Sequence, residues 1–152
     1  MRAFLAALAV ALTMCAASQS KPETPWRVGI ATTGGITGRG TGTFSIASDG
    51  TVSVTTMANK TCSYRATDED LARFEKLLAA ARPSEWKASY APENRCCDRI
   101  EYTLTLDEGD QKITTEWIDD PLPRPADLIA LAEAIIGGED ASLRRHYGEL
   151  CR

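Results

Sequence analysis

Alternating apolar and polar residues in the second half of the chain constrain its fold most strongly. In IEYTLTL, at positions 100–106, the apolar side chains occupy every second position: Ile100, Tyr102, Leu104 and Leu106. A period of two is that of a β-strand, because successive side chains point to opposite faces. The turn DEGD follows, and the alternation returns in QKITTEWI at positions 111–118. The two segments predict an antiparallel hairpin with one buried face.

Earlier segments show the same period. WRVGIAT, at positions 26–32, alternates large apolar residues with other side chains and predicts a first strand. TFSIAS and TVSVTT flank Asp49-Gly50, a dipeptide typical of tight turns, and predict a second hairpin. CSYRA, at positions 62–66, either extends this sheet or leads out of it.

Two other segments have the period of an α-helix. The first begins after Thr67, a typical N-terminal cap, and its first turn is acidic, which the helix dipole favours. Its apolar residues recur at helical spacing until Pro83: Leu71, Phe74, Leu77, Leu78 and Ala81. The second helix begins at Pro125 and ends before Gly137. The apolar residues that would cover the sheet are Leu128, Leu131, Ala132, Ile135 and Ile136.

These elements predict an α+β fold: an antiparallel sheet of two hairpins, packed on one face by two main helices and stapled by disulfides. With 152 residues, 43% of them hydrophobic, the chain is long enough for one core and too short for two full domains. We therefore assign a single α+β domain to positions 26–152. The other face of the sheet is expected to stay partly open to solvent.

The first twenty residues follow a different pattern and predict export. An apolar stretch from Ala3 to Met14 is followed by small residues, which is typical of a secretory signal peptide at positions 1–17. Alternatively, Leu12-Thr13-Met14-Cys15 resembles a bacterial lipobox, in which Cys15 becomes a lipidated N-terminus. Positions 18–25 then form a disordered mature terminus or a tether. An apolar stretch of ~12 residues is shorter than the ~20 that cross a bilayer, so we expect no membrane-spanning segment. The protein is expected to be periplasmic or secreted, or anchored to the membrane only through Cys15.

Export changes the interpretation of the cysteines. Without Cys15, four of the five cysteines remain: Cys62, Cys96, Cys97 and Cys151. An even number in an oxidising compartment predicts two disulfides. A bond between the neighbours Cys96 and Cys97 would close a small strained ring, so we expect Cys62 and Cys151 each to pair with one of them. Which of the two each one takes stays open.

Charge and composition argue against several function classes. A net charge of −4 and a pI near 5.1 argue against binding to nucleic acid. The single histidine, His146, lies in a charged tail, without the motif that a metal site or a hydrolase needs. We therefore expect a monomeric binding protein rather than an enzyme, with no cofactor and no metal.

The segment ATTGGITGRGTG, at positions 31–42, holds five glycines within nine positions. A phosphate-binding loop needs a helix after its glycines, whereas a strand is predicted here. The segment therefore predicts a hairpin connection in which glycine supplies backbone angles that other residues avoid. It also predicts a surface that another polypeptide can approach closely.

The order of these motifs resembles that of the emfourin family, small bacterial inhibitors of thermolysin-like (M4) zinc metalloproteases. The family's Gly-Gly-Phe-x-Gly signature is matched, with isoleucine in place of the aromatic residue, by Gly34, Gly35, Ile36 and Gly38. The other motifs follow in the family's order: Asp49-Gly50, the helix from Leu71 to Leu78, and Tyr102-Thr103-Leu104. The match covers positions 28–136. The signal peptide, the four cysteines and the tail from Gly137 lie outside the family's pattern.

The resemblance implies an exported inhibitor that binds a thermolysin-like metalloprotease through the glycine-rich loop. The contact residues that it implies are Gly34, Gly35, Ile36, Gly38 and Arg39. The alternative is an envelope lipoprotein, or a structural or interaction module, with no inhibitory activity.

Overall fold

The computed structural model describes residues 24–36, 41–56, 58–93, 98–119 and 122–136. Six strands are present in this part of the chain: β1 Trp26–Gly34, β2 Gly42–Ala47, β3 Thr51–Thr55, β4 Thr61–Arg65, β5 Ile100–Glu108 and β6 Gln111–Ile118. Two α-helices accompany them: α1 Asp68–Ala80 and α2 Ala126–Ile136. The predicted α+β class is confirmed.

The strands form one antiparallel sheet in the order β4-β3-β2-β1-β5-β6. The first strand of the chain lies at the centre of the sheet, where Ile30 of β1 pairs with Phe44 of β2 and with Leu104 of β5. The strand β1 therefore joins the two predicted hairpins into a continuous sheet. The undecided segment CSYRA extends the sheet, because Cys62 and Tyr64 of β4 pair with β3.

The hydrophobic core lies between one face of the sheet and the two helices. Its fully buried side chains come from every second position of the strands and from one side of each helix: Val28, Ile30, Ile46, Val52, Phe74, Leu104, Leu128, Leu131 and Ile135. Burial of a side chain of this size stabilises a fold by about 1.5 to 3 kcal/mol. The alternation in the sequence therefore identified the core face correctly.

The opposite face of the sheet carries hydroxyl side chains. One row crosses all six strands through Ser63, Ser53, Ser45, Gly29, Thr105 and Thr114. Neighbouring hydroxyls hydrogen-bond across strands, with Ser53 Oγ and Ser63 Oγ 3.1 Å apart. Because these groups also bond to water, the face remains exposed without a large hydrophobic penalty. The expected partly open face is confirmed.

The helix α1 begins as predicted. The side chain of Thr67 accepts a hydrogen bond of 3.1 Å from the Asp70 backbone N–H. Three acidic residues occupy the first turn, near the positive end of the helix dipole. Capping by threonine at this position contributes about 1 kcal/mol to helix stability.

The segment after α1 is more ordered than the loop that the sequence predicts. It contains a short 3-10 helix, Pro83–Glu85. Residues 88–90 then run along the outer edge of β6, where Tyr90 N–H donates to Glu116 O at 2.8 Å and Glu116 N–H donates to Ala88 O at 3.0 Å. The buried hydroxyl of Thr115 donates to Lys87 O at 2.8 Å. This pairing covers the edge of β6, which would otherwise expose unpaired backbone groups.

Several predictions fall on residues outside the described ranges. They concern the signal peptide, the alternative lipidation at Cys15, the cysteines Cys96, Cys97 and Cys151, and the loop residues Gly38 and Arg39. Cys62 lies half-buried on β4. The pairing of the two disulfides stays a prediction, because the other three cysteines lie outside the described ranges. None of the helices in the described ranges is long and apolar enough to cross a membrane.

Candidate functional site

The candidate functional residues lie in loops at one end of the sheet. The strand β1 ends there at Gly34, beside Ile100 at the start of β5. The start of β2 at Gly42 pairs with Thr32, and the end of β6 at Ile118 pairs with Glu101. Because neighbouring strands are antiparallel, the connection between β1 and β2 and the segments that flank β5 and β6 meet at this end.

The first glycines of the loop are required by its geometry. Gly34 and Gly35 have φ angles of 78° and 67°, in the left-handed region that glycine adopts readily. The Gly35 N–H donates to Arg99 O at 2.8 Å. A Cβ atom at Gly34 would collide with the same carbonyl oxygen. These glycines therefore let the chain turn away from β5 while it remains bonded to Arg99.

A buried threonine holds the other side of the loop. The Oγ1 atom of Thr32 accepts a hydrogen bond of 2.6 Å from the Thr41 N–H and donates one of 3.0 Å to Gly42 O. Gly42 has a φ of 108°, and a Cβ atom there would collide with the backbone of Thr55. Both ends of the loop are therefore attached to the sheet by specific hydrogen bonds, through the Thr32 hydroxyl at one end and the Arg99 backbone at the other. The predicted hairpin connection is confirmed.

Between these two ends the loop presents an apolar side chain to solvent. Ile36 is 91% exposed, and the only other large hydrophobic side chain exposed in the described ranges is Leu122, at 36%. Of the five predicted contact residues, the structure brings Gly34, Gly35 and Ile36 together. Gly38 and Arg39 lie outside the described ranges.

A pocket of about 270 Å³ lies near this loop, between α2 and the adjoining ends of β5 and β6. The rings of Tyr102 and Trp117 line it, stacked with centroids 5.4 Å apart and planes 4° apart. The Arg124 guanidinium lies 5.7 Å from the Trp117 ring centroid and donates to Ile118 O at 3.3 Å. Sequence reasoning missed this pocket.

The charges around the pocket are mixed. The carboxylates of Asp119 and Glu133 and the guanidinium of Arg124 contribute to its lining. Burial raises the pKa of the Tyr102 hydroxyl, and the Asp119 carboxylate raises it further, while Arg124 acts in the opposite direction. Tyr102 is therefore neutral at physiological pH and can donate a hydrogen bond.

Arg99 connects the glycine-rich loop with the pocket. Its backbone oxygen accepts the hydrogen bond from Gly35, and its side chain donates to Asp119 O at 3.3 Å. The Arg99 guanidinium also lies 3.9 Å from the Asp119 carboxylate. Asp119, which lines the pocket, is therefore separated from the loop by a single residue.

A second polar cluster, at the start of α2, has a structural role. The carboxylate of Asp127 accepts hydrogen bonds from Arg82 N–H at 2.8 Å and from Trp86 Nε1 at 3.1 Å. Partial burial acts to raise the pKa of Asp127, but the hydrogen bonds from Arg82, Trp86 and the first turn of α2 together lower it. Through these hydrogen bonds, the Asp127 carboxylate connects the segment after α1 with the start of α2. Within the described ranges, no group of three or more His, Cys, Asp or Glu side chains is placed to hold a metal ion.

No protein-family model, no curated protein and no solved structure matches this chain. A function for this chain is therefore inferred from the geometry of the loop and of the pocket. The sequence did predict that Tyr102, Trp117 and the apolar face of α2 lie on the core side. It did not predict that these groups leave a cavity between them.

Proposed function

We propose that this protein is an exported protease-binding protein that inhibits a thermolysin-like metalloprotease through the glycine-rich loop. The observation that supports the proposal best is the exposure of Ile36, at 91%, on a loop whose two ends are bonded to the sheet. No catalytic role is assigned to the chain. The motif order that resembles the emfourin family supplies the class of partner.

An isoleucine so exposed gains free energy when a partner covers it. Complete burial of such a side chain is worth about 1.5 to 3 kcal/mol. Interfaces concentrate their binding energy in a few side chains of this kind that fill pockets on the partner. Ile36 is therefore the expected anchor of the complex.

Because both ends of the loop are attached to the sheet, the loop has less conformational entropy to lose when a partner binds. Thr32 holds Thr41 and Gly42 at one end, and Arg99 holds Gly35 at the other. A contact segment that is ordered before binding loses less conformational freedom in the complex. Gly34 and Gly35, just before Ile36, also have no side chain that would keep a second backbone at a distance.

Disulfides would restrain the same domain further. We propose that Cys62 and Cys151 each pair with one of Cys96 and Cys97. The even number of cysteines that remain after Cys15 in an exported chain supports this pairing. Mass spectrometry of peptides from the unreduced protein would identify the bonded pairs.

The inhibition is tested with the purified mature protein, its disulfides intact, titrated against thermolysin-like proteases with a small fluorogenic substrate. We expect a steep loss of activity that is complete at a stoichiometric amount of protein. Ile36→Ser is expected to weaken inhibition by about tenfold or more, because it removes about 1.5 kcal/mol or more of apolar burial. Leu122→Ser is the matched control and should inhibit like the wild type.

Equal losses for Ile36→Ser and Leu122→Ser would show that general surface hydrophobicity, rather than the loop, binds the protease. No inhibition by micromolar protein of several such proteases would refute the proposal. The alternative of an envelope lipoprotein or interaction module would then stand, and an acylated Cys15 at the mature N-terminus would identify the lipoprotein.

A further inference from the structure

The size of the pocket beside α2 limits what it can hold. Its volume of about 270 Å³ lies below the ~300 to 1,000 Å³ of sites that enclose cofactors and drug-sized ligands. A single amino-acid side chain is the size of ligand that matches it. The pocket lies near the end of the sheet that carries the glycine-rich loop, since Arg99 contacts both Gly35 and the pocket residue Asp119.

The lining of the pocket combines apolar and acidic groups. The side chains of Ile129 and Ile136 on α2 face the Tyr102 and Trp117 rings across the cavity. Glu133, which is exposed, and Asp119 add two carboxylates at its edge. An elongated side chain with an apolar stem and a cationic end would satisfy both parts of this lining.

The two carboxylates of the pocket have different surroundings: Asp119 lies 3.9 Å from the Arg99 guanidinium, whereas Glu133 is exposed on α2. Among the described residues that line the pocket, Arg124 is the one cation, and it is already held against the Trp117 ring and bonded to Ile118 O. Burial raises the pKa of Tyr102, the Asp119 carboxylate raises it further, and Arg124 lowers it. An anionic ligand would meet the exposed carboxylate of Glu133. A purely apolar ligand would remove water from that carboxylate without replacing its hydrogen bonds.

We propose that this pocket binds a lysine or arginine side chain that a partner protein presents on an extended segment. The stem of that side chain packs between the aromatic pair and α2, and its cation reaches Glu133. The position of Arg124 shows that a guanidinium is accommodated against the Trp117 ring in this surface. The inference rests on the proposed function in that it names a side chain of the bound partner, and it makes the pocket a second contact beside Ile36.

The experiment uses the mature full-length chain with its disulfides intact and contains no protease. The probes are the N-acetyl, N-methylamide derivatives of lysine and of norleucine, which share a four-carbon stem and differ in the terminal ammonium group. The readout is the indole N–H signals of the three tryptophans in a ¹⁵N NMR titration. A Trp117→Phe variant assigns the Trp117 signal.

We expect the lysine probe to shift the Trp117 signal in a saturable way, with a Kd of about 1 to 10 mM for a ligand of this size. The norleucine probe should bind at least about threefold more weakly, as loss of a partly exposed ion pair predicts. The Trp86 signal should not move, because its indole N–H is bonded to Asp127 outside the pocket.

Two variants that each remove one negative charge test the role of the carboxylate in the pocket. Glu133→Gln should weaken binding of the lysine probe by about two- to fivefold. Glu108→Gln, at the opposite end of the sheet, should leave it unchanged. Equal binding of norleucine and lysine, an unmoved Trp117 signal up to the solubility of the probe, or no effect of Glu133→Gln would each overturn the proposal.

The result is separable from the test of inhibition. A protein that inhibits a protease but does not bind the lysine probe would refute only the pocket. One that binds the probe but does not inhibit would refute only the proposed metalloprotease partner, and the pocket would remain a site for a basic side chain.

Discussion

The two ends of β2 use glycine in contrasting ways. At its far end, Gly50 has a φ of 80°, is buried, and forms backbone hydrogen bonds of 2.8 Å with Ala47 and with Ala66. At its near end, Gly42 closes a loop that is bonded to the sheet on both sides and yet exposes Ile36. Both connections need positive φ angles. Only the second combines that geometry with an apolar side chain that the domain itself does not cover.

The difference separates an architectural turn from a candidate contact surface. All the backbone requirements of the Asp49-Gly50 turn are met inside the domain, and the turn serves only to reverse the chain. In the glycine-rich loop the same requirements are met at the two ends, while the exposed isoleucine is not part of the hydrophobic core. Variants that change one property at a time can therefore test the comparison.

The largest effect is expected from Gly34→Ala. It combines a strained φ with a collision between the new Cβ atom and the Arg99 carbonyl, so we expect a loss of about 3 kcal/mol in the free energy of unfolding. Urea unfolding of the variant and the wild type measures the difference. The inhibition proposed above should weaken as well, because the loop must leave its bonded position.

Gly50→Ala is the matched variant in the other turn. A Cβ atom there would meet Leu71 at 3.6 Å, an ordinary contact, so only the backbone angle is strained. The expected loss is about 1 to 2 kcal/mol, without an effect on inhibition. If Gly50→Ala destabilised the protein as much as Gly34→Ala, the collision with the Arg99 carbonyl would not explain why position 34 requires glycine.

A smaller effect is expected from Thr32→Val, which keeps the shape of the side chain and removes its hydroxyl. The Thr41 N–H and the Gly42 carbonyl then lose their partner, and a loss of about 1 to 2 kcal/mol follows in the free energy of unfolding. Inhibition should weaken although Ile36 is intact, because the loop is less well ordered. The control is Thr105→Val on the open face, and an equal loss of inhibition there would contradict this explanation.

The smallest effect is a dependence on pH in the Asp49-Gly50 turn. The hydrogen bond from the Thr51 backbone N–H lowers the pKa of Asp49 below its usual 3.8. Its contribution to stability is therefore fully present above pH 3.8 and is lost as the pH falls through the lowered value of the folded protein. In urea unfolding, Asp49→Asn should differ least from the wild type at the most acidic pH. A difference that grows toward acidic pH would have the wrong sign.

Secondary structure could be predicted from local patterns because it depends on them. The period of two in β5 and β6, the helical spacing in α1 and the Thr67 cap each involve neighbouring residues. The same patterns identified the core face, since Leu104 and Trp117 both lie on the apolar side of their strands. The exposure of Ile36 was compatible with the glycines around it but was not determined by them.

The features that could not be predicted depend on residues far apart in the chain. Pairing of residues 88–90 with Glu116 uses only backbone groups, which every sequence contains. The pocket depends on a gap between the Tyr102 and Trp117 rings and α2. Apolar periodicity shows that these side chains face inward, but it does not show how completely they fill the space between them.

The sequence by itself determined where the strands, helices and tight turns lie and which face of each is buried, because backbone angles and hydrophobic period are local properties. Only the tertiary structure decided that β1 joins the two hairpins, that Arg99 links the glycine-rich loop to the pocket, and that a cavity lined by aromatic and charged side chains opens beside α2. These arrangements arise from contacts between distant segments, whose free energies depend on shape and distance in three dimensions.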